Sequence, residues 1–362
     1  MKNLAITAYA IIAIATLTLT IWINTKTNAF LPAQTDSAYT HEFIHGTVKQ
    51  VDTNDETREL ELKVTANSGP EKGEGIIVNV DPNLNFNEYK ADDEILIYKG
   101  QNTYEVTDYY HQTGLIVLFI LFAIITIIIA RKKGLASIAS VLGSIALFYF
   151  LLLKLIALGI SPLLATVLFA FIITILSIPP VHGFNKKSLS SITAICIGYL
   201  ASFAIVYVFK EIAHLAPATS EDFRTLTIMF PNVDLGDILI ASLFLGAVGA
   251  LIDTAISISS AIFEALSSQP KLSFKKIHKI GMEVGKDILA SMTNTLLLAY
   301  IASALPFLIL LTLSQGSSFT ELVNMDFIAL ELTRIFIGAV SLVILIPIVS
   351  SISAYLLAKH NK

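Results

Sequence analysis

The chain has 362 residues, of which 54% are hydrophobic and only 14% charged, and its mean hydropathy is +0.72. Soluble domains carry about 25% charged residues, so this composition excludes an ordinary soluble globule and describes a chain that crosses a bilayer repeatedly. The single cysteine, Cys196, excludes an intramolecular disulfide and any cysteine-based metal cluster; in its apolar run it reads as a small buried hydrophobe. Residues 30–112 hold sixteen acids and six bases, a net of −10 against +6 for the rest, which is not the basic face that nucleic acid requires.

A spanning helix needs roughly 20 mostly apolar residues. The first such stretch is 4–24. Small residues at Thr27-Asn28-Ala29 would also suit a signal-peptide cleavage site. Under either reading the acidic segment that follows faces outward.

Residues 42–107 read as short strands. "RELELKV" (58–64) alternates, with Leu60, Leu62 and Val64 on one face; "FIHGTVKQV" (43–51), "GIIVNV" (75–80) and "EILIYKG" (94–100) behave similarly, and "TNDET" and "DPNLN" are turn-rich. A small OB-like β-barrel is expected. Within it "HEFIH" (41–45) matches the H-E-x-x-H zinc pattern. That pattern works on a helix, where the two histidines share one face. On a strand they stand ~13 Å apart, so no metal site is expected.

Further spans follow at 113–130, 135–155, 161–179, 190–210, 236–263, 287–313 and 330–357. Bases cluster in every second loop: Arg131, Lys132 and Lys133; Lys186 and Lys187; Lys271, Lys275, Lys276, Lys279 and Lys286; Lys359 and Lys362. The positive-inside bias then predicts a multi-pass cell-membrane protein with both termini cytoplasmic and residues 30–112 extracytoplasmic. The fold expected is an all-α polytopic membrane bundle of about eight transmembrane helices, with the β domain inserted after the first helix: segments 1–29, 30–112 and 113–362.

In the sixth span Gly246, Gly249, Asp253, Ser257, Ser260 and Glu264 recur at helical spacing on one face. Asp253 lies ~15 Å from the inner end of its span, near the bilayer midplane, where a carboxylate costs a few kcal/mol and must face protein or water. Two readings stand: a group on an ion or proton pathway, or a neutral acid hydrogen-bonded to a neighbouring helix. The inner half of span seven offers Ser291, Asn294 and Thr295 at a similar level, as an ion- or substrate-binding partner face. In span eight Pro347 reads either as a break beside a binding site or as a plain kink. Glu331 and Arg334, three residues apart, read as a clasp or gate at the outer end, pairing with each other or with Asp234 and Asp237. The basic stretch "KLSFKKIHKIGMEVGK" (271–286) reads as an interfacial helix on anionic lipid.

No P-loop and no G-x-S-x-G occurs, and one deep acid cannot make an aspartyl dyad. No enzymatic activity and no cofactor are therefore expected. The segments "FPNVDLGDILIASLFLGAVGALIDTAISISSAIFE" (230–264), "GMEVGKDILASMTNTLLLAY" (281–300) and the stretch from Glu331 to Ser353 resemble the YibE/F family of multipass bacterial membrane proteins. The resemblance covers about 110–360 and implies architecture; it implies no settled mechanism. Two functions are carried forward. One is an ion- or proton-coupled secondary transporter or exporter of a small solute or ion. The other is a non-transporting accessory protein whose outer domain binds an envelope partner.

Overall fold

The computed structural model describes residues 2–30, 42–53, 60–80, 87–100, 103–215, 233–313 and 318–358, together with 223, 225, 226 and 228. They fall into two compact units, Leu31–Gly134 and Met1–Phe30 with Leu135–Lys362.

In the first unit β1 (Glu42–Thr53), β2 (Leu60–Ala66), β3 (Gly75–Val80), β4 (Glu94–Lys99) and β5 (Tyr104–Tyr109) form one antiparallel sheet in the order β3-β2-β1-β4-β5. Alternation drives it: every second side chain goes to one face, and Ile44, Val48, Leu62, Val64, Val78 and Ile97 are buried there. The central strand β1 pairs with β4 over its first half and with β2 over its second, and a bulge between Val48 and Gln50 lets it bend. A side chain at Gly46 would reach within 2.5 Å of Val64 Cγ1, so the close crossing of strands needs glycine there. The sheet curls into a half-barrel. No ladder joins β3 to β5 among the described residues, so the expected barrel is an open, curled sheet.

His41 lies outside the described residues. Glu42 opens β1, so the remainder of the H-E-x-x-H pattern lies on a strand and lacks the helical geometry that zinc ligation of this type needs. His45 stacks on Tyr110, with ring centroids 3.8 Å apart, and its Nε2 stands 3.7 Å from Glu94.

Helix α2 (Gln112–Leu147) is interrupted at Arg131, whose φ of 49° and ψ of −122° leave the helical region. A side chain at Gly134 would meet Thr126 O at 2.5 Å; glycine is required by that approach. Among the described residues seven helices are long and apolar enough to cross a membrane, one of them the 46-residue run Gln112–Ala157. The break at Arg131 divides that run into two arms, which coincide with the spans expected over 113–130 and 135–155.

The second unit is helical. It comprises α1 (Lys2–Phe30), the second arm of α2 with a π-helical turn (Phe148–Leu153) leading into α3 (Lys154–Ala157), α4 (Pro162–His182), α5 (Lys186–Ile212), α6 (Leu235–Ser268), α7 (Phe274–Leu313), the short α8 (Phe319–Asn324) and α9 (Asp326–Ala358). Ser318 and Glu321 form a capping box on α8. Helices α5, α6 and α9 share the main core, with Tyr199, Phe244, Leu251, Ile258, Leu345 and Val349 buried among them. α7 lies against α6 and α9. A second cluster seats Ile23 of α1 on Leu151, Leu155, Ala165 and Phe169, and Asn24 donates to Phe150 O at 3.0 Å.

Two expectations are corrected. Residues 274–286 are not a separate interfacial helix: α7 runs unbroken from Phe274 to Leu313. The physical reason is that this stretch has a packing face of its own. Ile277, Gly281 and Gly285 are buried while Lys275, Lys276, Lys279, Glu283 and Lys286 are exposed. The glycines admit Ser350 and Ile346 of α9, whose atoms lie 2.6 Å and 2.3 Å from where their Cβ atoms would be. Nor does Pro347 break its helix: α9 is continuous from Asp326 to Ala358, and the exposed proline ring points away from the core.

Candidate functional site

The ends of α4, α6 and α9 and the starts of α5 and α7 gather Lys186, Lys187, Lys271, Lys275 and Lys276, and this end of the bundle is called the basic end below. α6 starts at the opposite end, where Asp234 caps it by accepting from Gly236 N at 2.7 Å and Asp237 N at 3.2 Å.

Asp253 lies in the middle of α6, about 27 Å from its first residue and about 22 Å from its last at 1.5 Å per residue. Side chains built at Gly246, Gly285 and Gly281 would meet Tyr300, Ile258 and Ile262. Those three approaches set an antiparallel register between α6 and α7, with Ser291 level with Asp253 and Asp287 level with Ser257. Height is thus shared as the sequence suggests, but the groups do not close on one another in a buried seam. Asp253, Ser257, Ser291, Asn294 and Thr295 are all exposed, and Ser260 is half-buried. Thr295 donates back to its own helix at Ser291 O, 3.0 Å away. Among the described residues Asp253, Ser257, Ser260 and Asn294 make no side-chain hydrogen bond or ion pair. The face of α6 that is buried is the opposite one, carrying Leu251, Thr254, Ala255, Ile258, Ser259 and Ile262.

The clasp is built differently from one of its expected forms. Arg334 Nη1 donates to Glu331 Oε1 at 2.7 Å and to Oε2 at 2.9 Å within α9. Its guanidinium carbon sits 5.3 Å from the centroid of the Tyr300 ring, and Tyr300 donates its hydroxyl to Gly246 O at 3.1 Å. Three helices are therefore tied at one point through Gly246, Tyr300 and the Glu331–Arg334 pair. Asp237 is no member of it: its carboxylate accepts from Ser161 at the start of α4.

A hydroxyl cluster that sequence reading missed lies near the basic end. Ser353 Oγ stands 2.6 Å from Ser190 Oγ and 3.0 Å from Ser259 Oγ, and all three residues are fully buried. Further from that end Ser202, Thr254 and Ser341 bury their hydroxyls without a partner among the described residues, a costly arrangement. Isolated serines in apolar helices give no warning of such a meeting. Tyr300 was equally hidden, although the "GMEVG" spacing of Gly281 and Gly285 is a small-xxx-small signal for close helix approach.

A cavity of about 590 Å³ opens between α1, the second arm of α2 and α4, with Tyr9, Thr16, Thr20, Gly143, Ser144 and Pro180 in its walls. Thr16, Thr20 and Ser144 donate to carbonyls of their own helices, which leaves walls that are mainly hydrocarbon.

A family model described as YibE/F-like protein matches residues 118–359. The chain belongs to the YibE/F-like family. No curated protein and no solved structure matches it. The match takes in the whole of the α4–α9 bundle, and with it Asp253, the α7 polar residues and the clasp; the curled sheet lies outside it. Family and apolar helices together mark this YibE/F-like chain as a membrane protein.

Proposed function

We propose that this YibE/F-like protein is an ion- or proton-coupled secondary transporter or exporter, with Asp253 as the coupling group. The observation that carries the reading is the position of Asp253: mid-helix, without a hydrogen-bond or ion-pair partner among the described residues, and level with Ser291 on the adjacent helix. An ionisable group at membrane depth is by default a functional one. The nearby hydroxyls and Asn294 can orient a carboxyl or donate oxygens to a small cation. In this reading the basic end faces the cytoplasm with both termini, α1 is retained as a spanning helix, and the sheet unit lies outside as an OB-like module.

The test is purified protein in proteoliposomes with an imposed pH or sodium gradient. Gradient-dependent flux is expected in the wild type. Asp253→Asn, which keeps shape but cannot release a proton, should fold normally and lose it; Asp253→Glu should retain part. Full flux in a well-folded Asp253→Asn protein would remove the coupling role.

A second reading, an accessory protein without transport, is favoured by the acidic sheet unit, whose surrounding segment nets −10. Stoichiometric co-purification of an envelope protein through that unit, with no flux under any gradient, would put this reading first.

A further inference from the structure

We infer that the polar face shared by α6 and α7 is an interface with a second copy of this chain, so that Asp253 of each copy is closed off by α7 of the other. The inference rests on the membrane placement proposed above and is independent of transport.

The exposed row consists of Gly249, Asp253 and Ser257 on α6 and Ser291, Asn294 and Thr295 on α7. Hydrocarbon is a poor cover for it. Lipid tails offer neither donors nor acceptors, and an acid left facing them at mid-depth is strongly disfavoured. A second copy supplies what is missing. Asp253 is an acceptor; Ser291 and Asn294 carry donors and stand at or near its level through the α6–α7 register. A two-fold axis parallel to the bundle brings equal heights together, so the acid of one copy meets the donors of the other and the match is made twice. Such an isologous contact is how most homo-oligomers close.

Charge further along the face is complementary to itself in the same way. Glu264 of α6 and Asp287 of α7 are exposed alongside Lys286, and the exposed Lys279 and Glu283 of α7 stand 3.7 Å apart as a pair within that helix, which leaves Glu264, Asp287 and Lys286 to pair across copies. Acids and bases therefore alternate toward the basic end, and two copies placed side by side can pair them. Gly249 has nothing within 4 Å of where a side chain would begin, which leaves room for the close backbone approach that membrane helices use in association. The exposed faces elsewhere at this height are different. Leu200 of α5 and Val343 of α9, ten residues from the Ser190–Ser353 contact and so level with Gly249, are 63% and 50% exposed and apolar. They need no protein cover in a bilayer.

The test uses the full chain in native membranes. In a Cys196→Ser background, differently tagged copies are co-expressed in the α6–α7 pairs Gly249→Cys with Thr295→Cys, Gly249→Cys with Asn294→Cys, and Ser257→Cys with Asp287→Cys, with Leu200→Cys and Val343→Cys each paired with Thr295→Cys as controls, and disulfides are formed with copper-phenanthroline. Dimer-sized products are expected from the first three and not from the controls. Native mass spectrometry of the unmodified protein in mild detergent should show a dimer, and Asp253→Leu should weaken it about tenfold to several-hundredfold, since the roughly threefold-to-twentyfold effect of a single hydrogen bond between membrane helices is lost at both symmetric contacts. A monomer alone in native spectra, equal cross-linking at the control positions, or cross-links from Gly249→Cys only to a different protein would each overturn the inference. Flux plays no part in these readouts, so a transport-inactive dimer would sink the proposed function and leave this interface standing.

Discussion

Replacing Gly246 by alanine isolates the packing contribution of the three-helix tie. A Cβ at this position would lie 2.5 Å from Tyr300 Oη and 3.2 Å from both Cγ and Cδ of Arg334. The ring hydroxyl must withdraw, and its bond to Gly246 O, 3.1 Å long, is lost. That bond is worth about 0.5–1.5 kcal/mol, and displacing the Arg334 guanidinium from the ring costs about another 0.5–1 kcal/mol. Overpacking strain of about 1–3 kcal/mol is added where neighbours cannot yield. Against these stands a helix-propensity gain of about 1 kcal/mol for glycine to alanine. The net expectation is a destabilisation of about 1–4.5 kcal/mol. Gly143→Ala is the matched control, because nothing lies within 4 Å of its Cβ position and only the propensity gain remains. Denaturant unfolding in detergent, followed by far-ultraviolet circular dichroism, should separate the two variants by about 2–5 kcal/mol. Tyr300→Phe removes the atom that the new methyl strikes. Gly246→Ala should therefore cost about 1 kcal/mol less in that background than in the wild type. Equal stability of Gly246→Ala and Gly143→Ala, or no coupling between positions 246 and 300, would refute the geometry of the tie.

Ser353→Val removes the hydroxyl that both Ser190 and Ser259 use, and should lower stability by about 1–3 kcal/mol by leaving two buried groups unpaired. Ser341→Ala removes a buried hydroxyl that has no partner among the described residues and should be neutral or stabilising, so the same unfolding assay is expected to find a loss at Ser353 and none at Ser341. In the sheet unit the Lys99 ammonium donates to Glu71 and holds its carboxyl below the usual 4.5, and Lys63 holds Asp52 below its usual 3.8 in the same way. A depressed folded value means stability that is present above the ordinary value and lost as pH falls through the lowered one. The protection factors of β2 and β4 amides in the full chain, taken against intrinsic exchange at each pH, should thus fall below about pH 4.5. Lys99→Met should blunt the Glu71 part of that response; an identical acid response in wild type and Lys99→Met would count against the pair.

Local pattern carried a good deal of this. The apolar runs marked the long helices, including two arms on either side of the basic loop at Arg131, where the backbone leaves the helical region. Period-two alternation located β1 to β4, because a half-buried strand exposes every second residue; β5 was missed because "YEVTDY" has its aromatic residues at both ends and no strongly buried position. Period 3.6 correctly gathered Gly249, Asp253 and Ser257 on one face of α6. What period cannot say is which face goes inward. α6 has two candidate stripes, and the apolar one, with Leu251, Ala255 and Ile258, won the core between α5 and α9, since burying hydrocarbon is favourable and burying unpaired carboxyl is not. The polar row was thereby left on the outside, level with Ser291 but unsealed. The continuity of α7, the pairing of Arg334 with Tyr300 rather than Asp237, and the meeting of Ser190, Ser259 and Ser353 depend likewise on residues distant in the chain. Sequence periodicity assigns residues to faces; only the competition of all the helices for a limited interior decides which faces meet.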